Sequence, residues 1–117
     1  QIALPVKESG KWGLIGENGQ WILPPTYAFI SDFNEAGMAI FKENGRSGLL
    51  GRQGQVLIPA QYDKLEFFPQ QQRIAAWQNG LIGLLDAQGK ALIPPTYQAI
   101  SSYSPQAFLV YQQEKYG

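Results

Sequence analysis

The sequence predicts an all-β fold: tandem 35-residue antiparallel β repeats arranged as an elongated, solenoid-like stack. Three observations carry that reading. Lys11 to Tyr27, KWGLIGENGQWILPPTY, returns as RSGLLGRQGQVLIPAQY from Arg46 to Tyr62 and as LIGLLDAQGKALIPPTY from Leu81 to Tyr97, at a constant spacing of 35 residues. Short apolar runs are separated by glycine turns and stopped by proline. Asn44-Gly45 and Asn79-Gly80, strong two-residue hairpin signals, close one copy directly onto the next. A propeller-like or barrel-like closure is the alternative architecture.

Complete repeats run over 11–45, 46–80 and 81–114, the last one residue shorter. Residues 1–10 read as the end of a preceding repeat, because Lys7-Glu8-Ser9-Gly10 aligns with Lys42-Glu43-Asn44-Gly45. Lys115-Tyr116-Gly117 matches Lys11-Trp12-Gly13 and reads as the start of a further copy. The chain is therefore expected to be one repeat domain drawn from a longer array. Arrays of this kind expose strand edges at their ends, so self-association through exposed repeat ends is an expectation, with Pro5 blunting the N-terminal edge.

Within a copy, the first strand is expected at Trp12 to Ile15, with Leu49-Leu50 and Leu84-Leu85 as its counterparts. Glu17-Asn18-Gly19 and its equivalents then turn the chain, glycine supplying the positive φ. The second strand is expected over 20–23, 55–58 and 90–93. Its three consecutive apolar residues suggest cover on both faces, and Pro24-Pro25, Pro59 and Pro94-Pro95 should end it. Tyr27, Ile30 and Phe33 recur as Tyr62, Leu65, Phe68 and as Tyr97, Ile100, Tyr103. A spacing of three suits a short helical turn or a bent strand. The last strand is expected over 38–42, 73–77 and 108–112. If the spaced segment only crosses over, each repeat holds three strands; if it is itself a strand, each holds four.

These residues resemble the WG (KWG) repeat family of bacterial proteins. Trp12-Gly13-Leu14-Ile15, Asn18-Gly19, Ile22-Leu23-Pro24-Pro25, Tyr27 and Phe33 match the family's pattern over nearly the whole chain. The departures are Ser47, Ile82 and Tyr116 at the signature Trp, and Gly16 and Gly51 where the pattern has Asp, kept only as Asp86. The resemblance implies an interaction or scaffold role in bacteria, often in envelope or secreted proteins. A residue that drifts between copies is a poor choice for a reactive group used in every repeat.

Composition narrows the functional classes. Nine basic and nine acidic residues cancel and are intermixed with no run of Lys and Arg, so nucleic acid is not an expected partner. Cysteine and histidine are absent, removing disulfides, thiolate metal sites and the commonest base and metal ligand. No apolar run approaches the ~20 residues of a membrane-spanning helix, so membrane insertion is not expected. Gly13-x-x-Gly16-x-x-Gly19 lacks the following helix that a phosphate cradle requires, and Ser9-Gly10-Lys11 lacks the upstream glycine of a P-loop. Asp32, Glu35, Asp63, Glu66 and Asp86 do not recur as a flanked pair, as glycosidase chemistry would need. The expectation is no enzyme, no cofactor and no metal.

The aromatics carry more. Tyr27, Tyr62 and Tyr97 hold one repeat position throughout, and packing with the hydroxyl bonded to backbone is the expectation. Trp77 stands where the other copies have Lys42 and Gln112, so its indole should be at least partly exposed. Beside Arg73 and the loop Gln70-Gln71-Gln72, it is the candidate contact for a partner; the plain alternative is a Trp lying against a neighbouring strand. A non-enzymatic protein–protein interaction or scaffold segment is the expected function, with a carbohydrate or cell-wall binding module using exposed aromatics as the rival. If the tyrosines pack, Tyr62→Ala costs about 3–5 kcal/mol in urea unfolding; a melt like the parent's makes them exposed and favours the rival.

Overall fold

The computed structural model describes residues 2–112. Lys115-Tyr116-Gly117 and the side chain of Tyr103 lie outside the described residues. The strands are β1 (Ala3–Glu8), β2 (Lys11–Gly16), β3 (Trp21–Tyr27), β4 (Phe29–Ile30), β5 (Met38–Glu43), β6 (Arg46–Gly51) and β7 (Val56–Tyr62). They continue as β8 (Lys64–Phe68), β9 (Arg73–Gln78), β10 (Leu81–Leu85), β11 (Ala91–Tyr97), β12 (Ala99–Ser104) and β13 (Ala107–Tyr111). The all-β, antiparallel, tandem-repeat architecture is as the sequence indicates, and no sheet among the described residues closes into a barrel.

The hairpin signals act as read. Ser9-Gly10, Asn44-Gly45 and Asn79-Gly80 hold both φ angles positive, at 53° and 82°, 54° and 77°, and 55° and 79°. That is the two-residue turn whose twist matches paired strands. It sets Glu8 opposite Lys11, Glu43 opposite Arg46 and Gln78 opposite Leu81.

The spaced segment is a fourth strand in every repeat, namely β4, β8 and β12. Among the described residues no parallel crossover forms, and strand two does not pair with the last strand. The chain instead leaves one sheet after the repeated tyrosine and begins the next two residues later. The sheets are therefore β1-β2-β3, β4-β5-β6-β7, β8-β9-β10-β11 and β12-β13. Each four-stranded sheet joins the second half of one repeat to the first half of the next. Ile30, Leu65 and Ile100, the middle residues of the spaced segment, are all buried.

The prolines do not end the second strand, contrary to the sequence reading. β3, β7 and β11 run through them to the tyrosine. Two facts make this tolerable. These are edge strands, where a missing N–H removes no ladder bond. The strand is also bulged: Trp12 pairs with Tyr27 and Leu14 with Leu23, so three residues of β3 lie opposite Gly13 alone. Register shifts recur in the β10–β11 pair, where Ile82 faces Tyr97 and Leu84 faces Ile93.

The bulge arches over the glycine of the first strand. A Cβ on Gly13 would meet Leu23 O and lie 2.8 Å from Pro24 C and Pro25 N. On Gly48 it would meet Ile58 O and lie 2.7 Å from Pro59 C and from Phe41 Cε1. On Gly83 it would meet Ile93 O and lie 2.6 Å from Pro94 C. The same backbone collision recurs at all three glycines, which accounts for glycine after each drifting Trp position.

The chain divides into two compact units, Gln1–Gln61 and Tyr62–Gly117. In the first, Leu14, Ile30, Ala39, Phe41 and Leu50 form the buried cluster, with Trp12, Ile22, Leu23, Tyr27 and Phe33 packed around it. This cluster lies between the β1–β3 sheet and the β4–β7 sheet. Trp12 meets Phe29 edge-on at 5.6 Å and Tyr27 meets Phe41 at 4.4 Å. In the second unit, Ala75, Ile82, Leu84 and Ile100 are the buried cluster, flanked by Phe68, Trp77, Ile93, Tyr97 and Phe108.

Gly48→Ala tests the arch. Nearby backbone cannot yield as a side-chain tip would, so the variant is expected to lose about 1–3 kcal/mol or more in urea unfolding. A parent-like midpoint would show that the bulge gives way freely and is not the constraint described.

Candidate interaction surface

The second strand of each repeat is half outside the core. Trp21, Val56, Leu57 and Leu92 are 40%, 49%, 43% and 51% exposed. Trp21 and Val56 occupy one repeat position, with Ala91 as the third member. Leu57 and Leu92 occupy the next, with half-buried Ile22. These apolar runs are therefore not covered on both faces, contrary to the expectation from sequence. The bulge twists the strand, so consecutive residues do not alternate between core and solvent in the ordinary way. The signal was present in the prolines, which mark an edge strand rather than a central one.

The backbone of this edge is partly blocked to strand addition. Proline offers no N–H, and the Thr26 hydroxyl donates to Pro24 O at 2.6 Å, as Thr96 does to Pro94 O at 3.2 Å. In the middle copy Gln61 replaces threonine, and Arg46 Nη1 donates to Gln61 O at 3.2 Å instead. What these strands offer a partner is therefore chiefly side chains rather than a continuous ladder of hydrogen bonds.

Trp77 is half-buried and belongs to the rim of the second cluster. Its cross-strand neighbours are Lys64 and Ile82. The Lys64 ammonium lies 4.7 Å from the Trp77 ring centre and 3.8 Å from Glu66. In the preceding repeat the equivalent pair is Phe29 and Lys42, with Lys42 Nζ 5.6 Å from the Phe29 ring. The lysine and the aromatic have exchanged strands. The indole thus has a packing reason that repeat alignment alone did not show: it is the aromatic half of a lysine–aromatic pair that the preceding repeat also holds.

The third copy is offset by one residue from the 35-residue spacing in its last strand. Its missing residue lies in the turn between β12 and β13, so Ala99 faces Tyr111, as Lys64 faces Trp77. The backbone bonds agree: Ala28, Asp63 and Gln98 donate to the carbonyls of Lys42, Trp77 and Tyr111. The counterpart of Trp77 is Tyr111, not Gln112.

Arg73 lies four residues before Trp77 on β9, so the two are about 13 Å apart along the strand. Its guanidinium donates to Gln72 O at 3.0 Å and Gln71 O at 3.4 Å. That holds a turn in which Gln72 adopts a φ of 55°, where the first copy has Gly37. Gln71 Nε2 donates to Ser104 O at 2.6 Å. Arg73 and Trp77 are therefore at opposite ends of one strand and do not form one patch.

Tyr27, Tyr62 and Tyr97 are all half-buried. Burial, and secondarily the Glu43 carboxylate, push the Tyr27 phenol up from its ordinary value. Ser47 stands at the signature Trp position and is 1% exposed, its hydroxyl without a hydrogen-bond partner. Asp63 accepts from Asn79 N at 2.8 Å, and Asp86 Oδ1 accepts from the N–H groups of Gln88 and Lys90. These carboxylates hold turns. Gly19 is followed by β3 and not by a helix. Among the described residues no group of three or more acids is placed to hold a metal ion.

The exchanged pair makes a double-mutant prediction. Trp77→Lys alone sets two lysines opposite each other and removes a rim aromatic, so a loss of about 1–3 kcal/mol is expected. Adding Lys64→Phe recreates the Phe29–Lys42 arrangement and is expected to recover a substantial part of it. Strictly additive losses in urea unfolding would remove the pair as a unit.

Comparison with known proteins agrees with this repeat. The family described as "WG containing repeat" matches three consecutive segments, residues 12–46, 48–81 and 82–116. No protein with a curated record and no solved structure matches at a significant level. Three matches in tandem over most of the chain, on a fold in which the glycine of each WG position lies beneath the following bulge, show that the chain belongs to the WG-repeat family.

Proposed function

We propose that the chain is a non-enzymatic protein–protein interaction or scaffold segment of a bacterial WG-repeat protein. Its contacts are made through the apolar side chains of β3, β7 and β11, with Trp77 and Arg73 as further contact residues. One observation carries the reading: large apolar residues are exposed at the same repeat positions in successive copies, on edge strands interrupted by proline. Such positions cost solubility unless something covers them, and exposed apolar patches on rigid elements are contact surfaces. Proline and a bulge on the edge let them serve recognition while discouraging strand-by-strand aggregation.

A glycan or cell-wall partner is the second reading, supported by Trp21 and Phe29, which are 40% and 37% exposed. Stacking platforms need aromatics, however, and the repeat puts Val56 and Ala91 where Trp21 stands and Lys64 and Ala99 where Phe29 stands. Protein contact is therefore preferred. Self-association through repeat ends is a further proposal that sedimentation at rising concentration addresses.

The test is the triple variant Trp21→Ser, Leu57→Ser, Leu92→Ser. Surface changes of this kind are expected to shift stability by no more than about 0.5 kcal/mol each. Binding to a partner identified by in-cell cross-linking is expected to weaken by about 2 kcal/mol or more. Unchanged binding would move the contact off these strands. A Trp fluorescence shift on titration with soluble cell-wall oligosaccharides, lost in the variant, would favour the glycan.

A further inference from the structure

Three Asn-Gly dipeptides are present, all exposed: Asn18-Gly19, Asn44-Gly45 and Asn79-Gly80. We infer that the hairpins joining successive repeats are covalent modification sites, at which Asn44 loses its side-chain amide fastest, Asn79 more slowly and Asn18 slowest. The reaction is intramolecular. The backbone nitrogen of the following glycine attacks Cγ of the asparagine and gives up its proton to solvent, and ammonia leaves. The resulting five-membered imide takes up one water at either carbonyl and opens to aspartate or isoaspartate. One water is consumed, one ammonia is released, and no electron is gained or lost.

The structure sets the order through what must break before the nitrogen can attack. Gly19 N donates to Gly16 O at 2.9 Å, and the Asn18 Oδ1 that must turn accepts from Gln20 N at 3.1 Å. Neither restraint exists at the two inter-repeat hairpins, where Gly45 N and Gly80 N donate to no group among the described residues. A Cβ placed on Gly19, Gly45 or Gly80 would meet nothing within 4 Å, so crowding does not separate the three sites and the hydrogen bonds do.

Asn79 differs from Asn44 by one anchor. Asp63 Oδ2 accepts from Asn79 N at 2.8 Å and pins the turn. The preceding repeat has Ala28 at the position of Asp63, so the Asn44 turn has no such hold. The products matter to the fold. Isoaspartate carries an extra methylene in the main chain, which a two-residue turn with both φ angles positive does not accommodate. Each event also adds one negative charge to a chain whose formal net charge is zero.

Peptide mapping by mass spectrometry of the full chain, held in mildly alkaline buffer at physiological temperature, tests this. Amide loss at Asn44 is expected to lead Asn79 by roughly two- to tenfold, the factor one surface hydrogen bond supplies, with Asn18 behind both. Asp63→Ala, which installs the residue of the preceding repeat, is expected to bring Asn79 up to the rate of Asn44, circular dichroism confirming the β fold. In urea the three rates should converge, since all share the Asn-Gly chemistry. Asn18 reacting as fast as Asn44 in the folded chain, or the same order persisting in urea, would overturn the inference. An unchanged Asn79 rate in Asp63→Ala would remove the role given to Asp63.

Discussion

The constraint on which this fold depends is a backbone crossing. In every copy the chain arches over the face of the first strand at the residues just past the isoleucine or leucine that precedes proline, and the only residue that fits beneath is glycine. Packing between side chains can be rearranged by compensating substitutions, but a carbonyl lying over an α-carbon cannot. That asymmetry explains a pattern otherwise puzzling in a repeat defined by Trp-Gly. The tryptophan becomes serine and isoleucine in later copies, whereas the glycine never changes. The indole is a packing choice made locally, answered by Phe29 in one place and replaced by an aromatic on the adjacent strand in another.

From that crossing the remaining geometry follows. The bulge that creates it has extra residues on one strand, and a bulged, proline-bearing strand is suited to an edge. Once the second strand is an edge, the chain leaves the sheet, and the spaced tyrosine segment opens the next one. The same bulge turns apolar side chains outward and lets the prolines and threonine hydroxyls partly block the edge beside them. Exposure of apolar surface and protection of the backbone are thus two results of one distortion.

Much of this was legible in the sequence, and the failures share a cause. Strand positions, hairpins and the buried residues of the spaced segment are local or periodic properties, and Asn-Gly turns or a 35-residue recurrence display them directly. The proline reading failed because proline is incompatible with a central strand but not with an edge, and which strand is an edge is decided by pairing far along the chain. The apolar runs of the second strand failed with it. Trp77 was placed by aligning one strand with its copies, yet its environment is set by Lys64 on a different strand. Gln112 was offset by a single deleted residue that only cross-strand register could locate.

The half-repeat offset between sequence copies and sheets has a consequence for how the array responds to damage. In a chain whose repeats were each a complete sheet, losing one would leave its neighbours with intact ladders. Here every repeat is stapled into two sheets, so unravelling one strips strands from both the sheet before it and the sheet after it. Nearest-neighbour coupling in such an array is built of backbone hydrogen bonds as well as side-chain contact, and the chain should yield in blocks wider than its own sequence period. Evolution by duplication is correspondingly safe: inserting one whole copy adds a full sheet while reproducing every junction already present.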